Sequence, residues 1–587
     1  MSSGKNRPAP TDWQKRALAE LREAAAEQPD VLRLVGVPAR GQNGVVRVTL
    51  RLHTGPLATA DGGLVLQEHE EFVLTLPASP LSATTVEVEH WRFAGYPHVL
   101  QGRRLCIFLD PAREWDPLRG GMRAYLNRLW SWLSDAAAGQ FNASKAMYHA
   151  VGGVPHQTPG TPTLVVRVPG PDQRIQTGYL TARTEQRLDL AYSPPPDGGA
   201  VRVPVVTVAG ALPLGGGSTL AELLTYVDNS PFDRQQRSSS QVIAQSPAIL
   251  TTLAASAVRN PDGSPQYLIL AVPHPAGGPP HLLGARLPAP AADALRRMAH
   301  EQGSALNIDA SRIRSDLLIE WCPVSDERPA VTTRRDVGSP IGGFFGKQVH
   351  VWGCGGLGSW IAEFVVRAGA SQVTVCDPGT VTGGLLVRQN YVEADVGASK
   401  AQALARRLRA VDDTVAIHVH DGALPDDAAL ATAEVIIDAT VSIAVGYVLG
   451  HLAASEGPHP VLAQVATDTR TGTLGLLSVS APTTAQGPSS IDSAAGKIVL
   501  ADPDLELYHR LWQDTPDGDE LVPTRGCSVP TFHGSSADLA AVAGTLTSFL
   551  AMHLTTPGSG THLVALPHAA GSPHHRFLPH DPAPTTS

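Results

Sequence analysis

The chain has 587 residues, of which 43% are hydrophobic and 17% charged, a globular composition with room for several domains and not a disordered one. Its 54 acidic and 45 basic residues leave a net charge of −9. That balance argues against nucleic acid as a direct partner, because phosphate binding needs concentrated Lys and Arg.

Residues 11–29 predict an amphipathic helix, capped by Thr11 or Asp12, with Trp13, Leu18 and Leu21 at helical spacing. Four runs then alternate apolar and polar residues: VLRLVGV, GVVRVTLRLHT, GLVLQEHEEFVLTLP and ATTVEVEHW. Such alternation predicts half-buried antiparallel strands. A loop carrying Cys106 follows, then the helical run MRAYLNRLWSWLSDAAAG. Together these make an α+β domain over residues 1–150. A Gly/Pro-rich linker at 152–163 opens an α+β middle domain, 151–335. Its strand-like runs are TLVVRVP, VRVPVVTVAG, QYLILAVPH and SDLLIEWCPV, its helical runs TLAELLTYVD and APAADALRRMAHEQ. No chemical constellation stands out there, and Cys322 reads as a packed core thiol. From 336 to 570 strands and helices alternate, beginning KQVHVWGCGG and GSWIAEFVVRAGA. Repeated βαβ units predict a doubly wound, mainly parallel sheet, so the chain is α/β overall. Residues 571–587, rich in Pro and His, are expected to be a disordered tail.

Five cysteines, Cys106, Cys322, Cys354, Cys376 and Cys527, lie far apart and form no CxxC pair. That excludes a disulfide scaffold and a structural zinc site of the usual spacing. No uninterrupted apolar run is long enough to predict a membrane span. The polar opening MSSGKNRPAPTDWQKR lacks the apolar core of a secretion signal. A cytoplasmic protein with reduced thiols is the expectation.

The chemistry concentrates after residue 350. Gly353, Gly355 and Gly358 stand as G-x-G-x-x-G between a strand and a helix. Glycines there permit a tight turn and a close approach of phosphate, and the helix start supplies free amides. Asp377 follows at the end of the next strand, where a carboxylate can hold ribose hydroxyls. Taken alone these residues suit an NAD enzyme as well as an ATP user. Arg388, Gln389 and Lys400 favour ATP, since two cations can neutralise charge that builds up as pyrophosphate leaves. Only six of the basic residues are Lys, so Lys400 within a motif stands out. Asp438, at the end of VIIDAT, is a candidate magnesium ligand beside a triphosphate.

On these residues the block from about 340 to 560 resembles the E1-like adenylyltransferases: the ThiF and MoeB sulfur-carrier activators and the ubiquitin-activating enzymes. The family order is glycine loop, Asp, N-x-x-R-Q, a Lys after a D-x-G turn and a later Asp. It falls on Gly353, Gly355, Gly358, Asp377, Arg388, Gln389, Lys400 and Asp438. Two features depart from it. Leu385 stands where the family has Asn, with Asn390 nearby, and the paired CxxC motifs of the sulfur-carrier activators are absent.

Cys527 sits in TRGCSVPTFHG, with Arg525 and His533 close in sequence. Thiols gain nucleophilicity near positive charge or helix starts. The resemblance implies that Cys527 accepts an adenylated carboxyl terminus as a thioester. The N-terminal block is similar to a ubiquitin-conjugating (E2) domain. His98, Cys106 and the segment Trp115-Asp116-Pro117 match the family's His, catalytic Cys and W-x-P, while Val99-Leu100 replaces its Pro-Asn. The order E2-like, middle, E1-like resembles the E1–E2 fusion proteins of bacterial antiphage CBASS operons. That resemblance implies ATP and magnesium as cofactors. It also implies a partner protein whose C-terminal tail is activated, there a cGAS-like nucleotidyltransferase or, in related operons, a ubiquitin-like protein. An amine-bearing target and a homodimer complete the implied set. A sulfur-carrier activator, an NAD oxidoreductase and a non-catalytic scaffold stay open as alternatives.

Overall fold

The structure is a computed structural model. It describes residues 9–41, 44–90, 92–93, 96, 98–99, 104–108, 110–141, 158–170, 173–208, 217–228, 246–273, 278–301, 313, 316–332, 336, 338–421, 424, 430–440, 442–513 and 534–580. The chain divides into two compact units, Met1–Thr333 and Arg334–Ser587.

The first unit begins with the expected helix, Asp12–Glu27. Thr11 and Gln14 cap it reciprocally, each side chain accepting from the other's backbone N–H. Its buried stripe is Trp13, Gln14, Ala17, Leu18 and Leu21. Gln14 is the polar member, and its Nε2 donates to the Gly44 and Leu76 carbonyls at 2.8 and 3.1 Å. Strands β1 (Leu32–Arg40), β2 (Val46–His53), β3 (His69–Leu76) and β4 (Thr85–Val88) form an antiparallel meander in that order. The alternation of β2 places Val46, Val48, Leu50 and Leu52 in the core. The helix Gly121–Ala137 closes that core with Tyr125, Leu129, Trp132 and Leu133.

A buried carboxylate braces this sheet. Glu70, 1% exposed at its side chain, faces Arg92 at 2.8 Å (Nη1–Oε1) and His90 at 3.0 Å, and accepts from the Gln67 N–H at 2.8 Å. Burial resists its ionisation, but hydrogen bonds from His90 and Arg92 prevail and pull its pKa to about 2. A depressed carboxyl pKa contributes stability that is present above the unfolded value and lost as pH falls toward the folded one. Glu70→Gln should therefore cost about 3 kcal/mol near neutral pH, by leaving the partly buried Arg92 guanidinium without its carboxylate. The deficit should fade between about pH 4.5 and 2. Hydrogen-exchange mass spectrometry over β2–β4 reads this, and equal protection in both proteins at pH 7 would refute it.

In the middle region β5 (Thr163–Val166), β6 (Ile175–Thr184), β7 (Arg187–Ala191), β8 (Val201–Thr207), β9 (Gln266–Val272), β10 (His281–Leu287), β11 (Glu320–Cys322) and β12 (Val324–Asp326) form one sheet. Its order is β11-β10-β9-β8-β6-β7-β5-β12. The two edge strands are separated only by Pro323, so one run pairs with both edges and the sheet curls on itself. Leu164, Leu180, Val203, Ile269 and Cys322 share one apolar cluster on it. The helices Leu220–Asp228, Ser246–Arg259 and Ala289–Glu301 join Leu268 and Leu283 in another. The sequence reading missed the Ser246–Arg259 helix, whose Ala, Thr and Ser give little amphipathic contrast.

The second unit is built on an eight-stranded sheet. Strands β13 (Gln348–Trp352), β14 (Gln372–Cys376), β15 (Ala416–His420), β16 (Val435–Asp438) and β17 (Val461–Thr467) are parallel. Strands β18 (Leu474–Ser480), β19 (Gly560–Ala565) and β20 (His574–Pro579) continue it antiparallel. The order β15-β14-β13-β16-β17 runs outward both ways from β13 and β16, a topological switch point. The expectation of a disordered tail from 571 is corrected, because residues 574–579 form edge strand β20. Phe577 and Leu578 supply apolar contact there, and β19 offers a free ladder edge, which a composition-based reading cannot see. The helix Ser536–Thr555 is long and apolar enough, by length and composition, to cross a membrane. Here it buries Leu539, Val542, Leu546 and Leu550 in the same core as the sheet.

Candidate nucleotide site and candidate nucleophile

The glycine loop leaves the end of β13 at the switch point. Gly353 has φ 86°, open to glycine, and a Cβ there would meet Ala439 and Thr440 backbone at 2.8 to 2.9 Å. A Cβ on Gly358 would stand 1.8 Å from the Gly353 carbonyl oxygen. Gly355 is different, because a Cβ there would meet nothing within 4 Å. Two glycines thus pack the loop, and the third leaves open space against its backbone. The helix Gly358–Arg367 begins directly behind.

Asp377 follows β14 and accepts from the Cys354 N–H and the Gly379 N–H, each at 2.7 Å. A Cβ built on Gly379 would lie 2.9 Å from Asp377 Oδ1 and 3.4 Å from Lys400 Cδ and Cε. Lys400 opens the helix Lys400–Val411, capped by Ser399. Ser399 Oγ also donates to Asp421 at 2.6 Å, which ties this helix start to the end of β15.

Asp438 ends β16 in register with Trp352 of β13. It is fully buried. Its Oδ1 accepts from Thr440 N–H and Oγ1 at 2.8 and 2.6 Å, while Oδ2 is buried without a hydrogen-bond partner. Burial pushes its pKa up against those two bonds. An orphaned carboxylate oxygen beside the glycine loop suits a hard divalent cation. Gln389 Oε1 is likewise buried without a partner. Arg388 is buried, and desolvation lowers its pKa from the ordinary value.

Arg388 and Gln389 follow the short turn Gly383–Leu385, both backbone N–H groups bonding the Leu385 carbonyl. Asn390 does not take over the role of the Asn that Leu385 replaces. Its Nδ2 donates to Glu363 Oε2 at 2.7 Å and lies 3.4 Å from the Ser359 carbonyl. The sequence reading missed Glu363 and Tyr391. Glu363 sits inside the apolar run WIAEFVV and Tyr391 directly follows Arg388-Gln389-Asn390, and for both only the tertiary structure reveals the polar role.

Of the cysteines, Cys354 and Cys376 are buried, and burial raises both thiols, Cys376 to about 11 and Cys354 well beyond the ordinary value. Cys322 is buried and pushed up to about 12. Cys106 alone among the described cysteines is partly exposed. Its Sγ lies 3.3 Å from the Phe108 carbonyl. Burial raises its pKa too, with Arg104 and Arg128 opposing and Glu114 reinforcing. Arg128 Nε donates to the Ile107 carbonyl at 2.8 Å, next to this thiol. His98 touches Cys106 through its backbone, whose carbonyl accepts the Cys106 N–H at 2.8 Å. Its ring packs edge-on against Phe141, centroids 4.8 Å apart. His98 is the one non-glycine residue with positive φ, 63°, among those described. A strained backbone beside a thiol is a common mark of a functional loop. Trp115 fastens the following segment, its Nε1 donating to the Pro80 carbonyl at 2.9 Å. Cys527, Arg525 and His533 lie outside the described residues.

Comparison with known proteins bears on two regions. Residues 345–560 match the ThiF family, and residues 199–327 match the Cap2 central linker domain. The chain carries a ThiF family domain. The rest of its length falls outside that match. The mouse (Mus musculus) adenylyltransferase and sulfurtransferase MOCS3 is 37% identical over 83 residues, 14% of this chain. The match spans 18% of that relative's length. Among solved structures, E. coli MccB with ATP aligns at 11% identity and a TM-score of 0.30, over 42% of this chain and 67% of that one. PaaA aligns at 17% identity and a TM-score of 0.30, over 41% and 75%.

Proposed function

We propose that this chain activates the C-terminal carboxylate of a partner protein with ATP and passes the acyl group through two cysteines to an amine. What supports the reading is the set of groups near the switch point: open space at Gly355, a buried Arg388, Lys400 near Gly379 and Asp377, and the unpartnered Asp438 Oδ2. The partner's carboxylate oxygen attacks the α-phosphorus, the bond to the bridging oxygen breaks, and pyrophosphate leaves. Arg388 and Lys400 stabilise the charge that builds up on the phosphates. Asp377 holds ribose, and Gln389 offers a carbonyl oxygen to the nucleotide. Magnesium held by Asp438 would neutralise triphosphate charge.

In the second step Cys527 thiolate attacks the acyl carbon and AMP leaves. Cys106 then takes the acyl group by thiol exchange, and a target amine attacks it, loses a proton and releases the thiol. The raised Cys106 thiol makes this exchange faster as pH rises through the neutral range, since only the thiolate attacks. The match to the Cap2 linker region and the order of the three regions favour a role of CBASS type in antiphage defence. The activated partner is then a cGAS-like nucleotidyltransferase or a ubiquitin-like protein, and the enzyme a cytoplasmic homodimer.

Co-expression with candidate partners, non-reducing gels and intact mass test the relay. Cys527→Ala should keep ATP–pyrophosphate exchange and form no thioester. Cys106→Ala should keep the first thioester and lose conjugates by more than about 10²-fold. Normal conjugation by Cys106→Ala would sink the E2-like assignment. The stretch resembling a mouse sulfurtransferase favours a second reading, sulfur-carrier activation. That reading needs Cys527 alone, so an ATP-dependent adduct on Cys106 separates the two.

A further inference from the structure

We infer that the Tyr391 hydroxyl is a positioning group that locks the glycine loop to the start of the Lys400 helix, so that loop and lysine act on the phosphates as one rigid unit. The inference rests on the adenylation reading above and adds to it a residue outside the family's motif.

Tyr391 is buried, 7% exposed, within the core that also holds Cys354, Leu357 and Leu404. Its hydroxyl lies 2.8 Å from the Cys354 carbonyl oxygen and 3.3 Å from the Lys400 carbonyl oxygen. The first carbonyl belongs to the loop between Gly353 and Gly355, the second to the lysine itself. One hydroxyl proton therefore serves two backbone acceptors, on the two elements that must grip a triphosphate together. With Tyr391 buried, losing the hydroxyl leaves backbone acceptors short of a donor, which is costly.

The segment that carries Tyr391 is fixed independently. Glu363, on the helix behind the glycine loop, accepts from Asn390 Nδ2 and from Arg407 Nε, each at 2.7 Å. Arg407 belongs to the Lys400 helix. Trp360 Nε1 lies 3.3 Å from the Arg388 carbonyl, and the Asn390 N–H donates to Ser359 Oγ at 3.1 Å. The same three elements are thus joined twice, by Glu363 at the outer side and by Tyr391 next to the loop. A side chain held this firmly has its hydroxyl direction imposed on it, which is what a positioning contact requires.

Tyr391→Phe keeps the ring and removes the hydroxyl. In ATP–pyrophosphate exchange with a partner tail, kcat should fall about tenfold while KM for ATP stays within about twofold, because alignment at the reacting phosphate matters more than binding. In a Lys400→Arg background the same change should cost clearly less than in the parent, since coupled groups are not additive. Equal kcat for Tyr391→Phe and an active parent overturns the inference alone. A parent that binds ATP but performs no exchange overturns the adenylation reading and this inference with it. Should Tyr391→Phe melt early, Glu363→Gln is the comparison, since it loosens the outer joint and leaves the hydroxyl in place. At equal loss of melting temperature Tyr391→Phe must lower kcat further. Equal loss of kcat would mean a structural role only and would overturn the inference.

Discussion

Arg388→Ala is expected to lower ATP–pyrophosphate exchange by about 10²–10³-fold, the usual cost of removing one preorganised group that meets developing charge. The expectation follows from where the guanidinium sits. It is buried, with its backbone N–H bonded to the turn at Leu385 and its carbonyl near the Trp360 indole. A desolvated cation interacts with phosphate oxygens far more strongly than one in water. Arg388→Lys should recover part of the loss, since the charge returns without the planar fork. The loss should fall on kcat and survive saturating ATP. Exchange within threefold of the parent, by a protein with an unchanged melting temperature, would remove Arg388 from the chemistry.

Gly358→Ala should be highly damaging, since its added Cβ meets the shortest contact found at any described glycine of the second unit. The added Cβ would stand 1.8 Å from the Gly353 carbonyl oxygen, and backbone cannot swing aside as a flexible side chain can. Gly353 in turn lies against Ala439 and Thr440, next to Asp438. The clash therefore spreads from the loop to the candidate magnesium ligand. A cost of about 3 kcal/mol in stability is expected for such overpacking, with loss of measurable exchange. Gly355→Ala is the contrast. Nothing lies within 4 Å of its Cβ, so stability should stay within about 0.5 kcal/mol while ATP affinity falls. Calorimetry on both variants, with nucleotide titration, decides the matter. If Gly355→Ala binds ATP as the parent does, the open space in front of the loop is not the phosphate site.

The relation between sequence and site is uneven along the chain, for physical reasons. The glycine loop, Asp377 and Asp438 were legible because each sits at a fixed offset from a strand end, and strand ends follow from runs such as KQVHVWG and AEVIIDAT; Lys400 was legible from its place after the D-x-G turn in DVGASK. The N-terminal meander was legible because one face is wet, which writes period-two alternation into β2. The Cys106 loop was legible as a place but not as an environment. Its raised thiol and the backbone contact from His98 depend on burial and on a positive φ that no local pattern announces.

By itself, then, the sequence determined the periodicity of the elements, the order of the chemical residues and the sites where glycine is required, since these depend on neighbours a few positions away. Only the tertiary structure decided which groups are left unsatisfied and which contacts span elements. Asp438 Oδ2 is an orphan because β16 lies between β13 and β17 and buries it. Residues 574–579 form a strand because β19 offers them an edge. Tyr391 matters because folding brings the Cys354 and Lys400 carbonyls to one hydroxyl. Burial and hydrogen-bond satisfaction are properties of three-dimensional surroundings, so residues that act through them stay silent until the chain has folded.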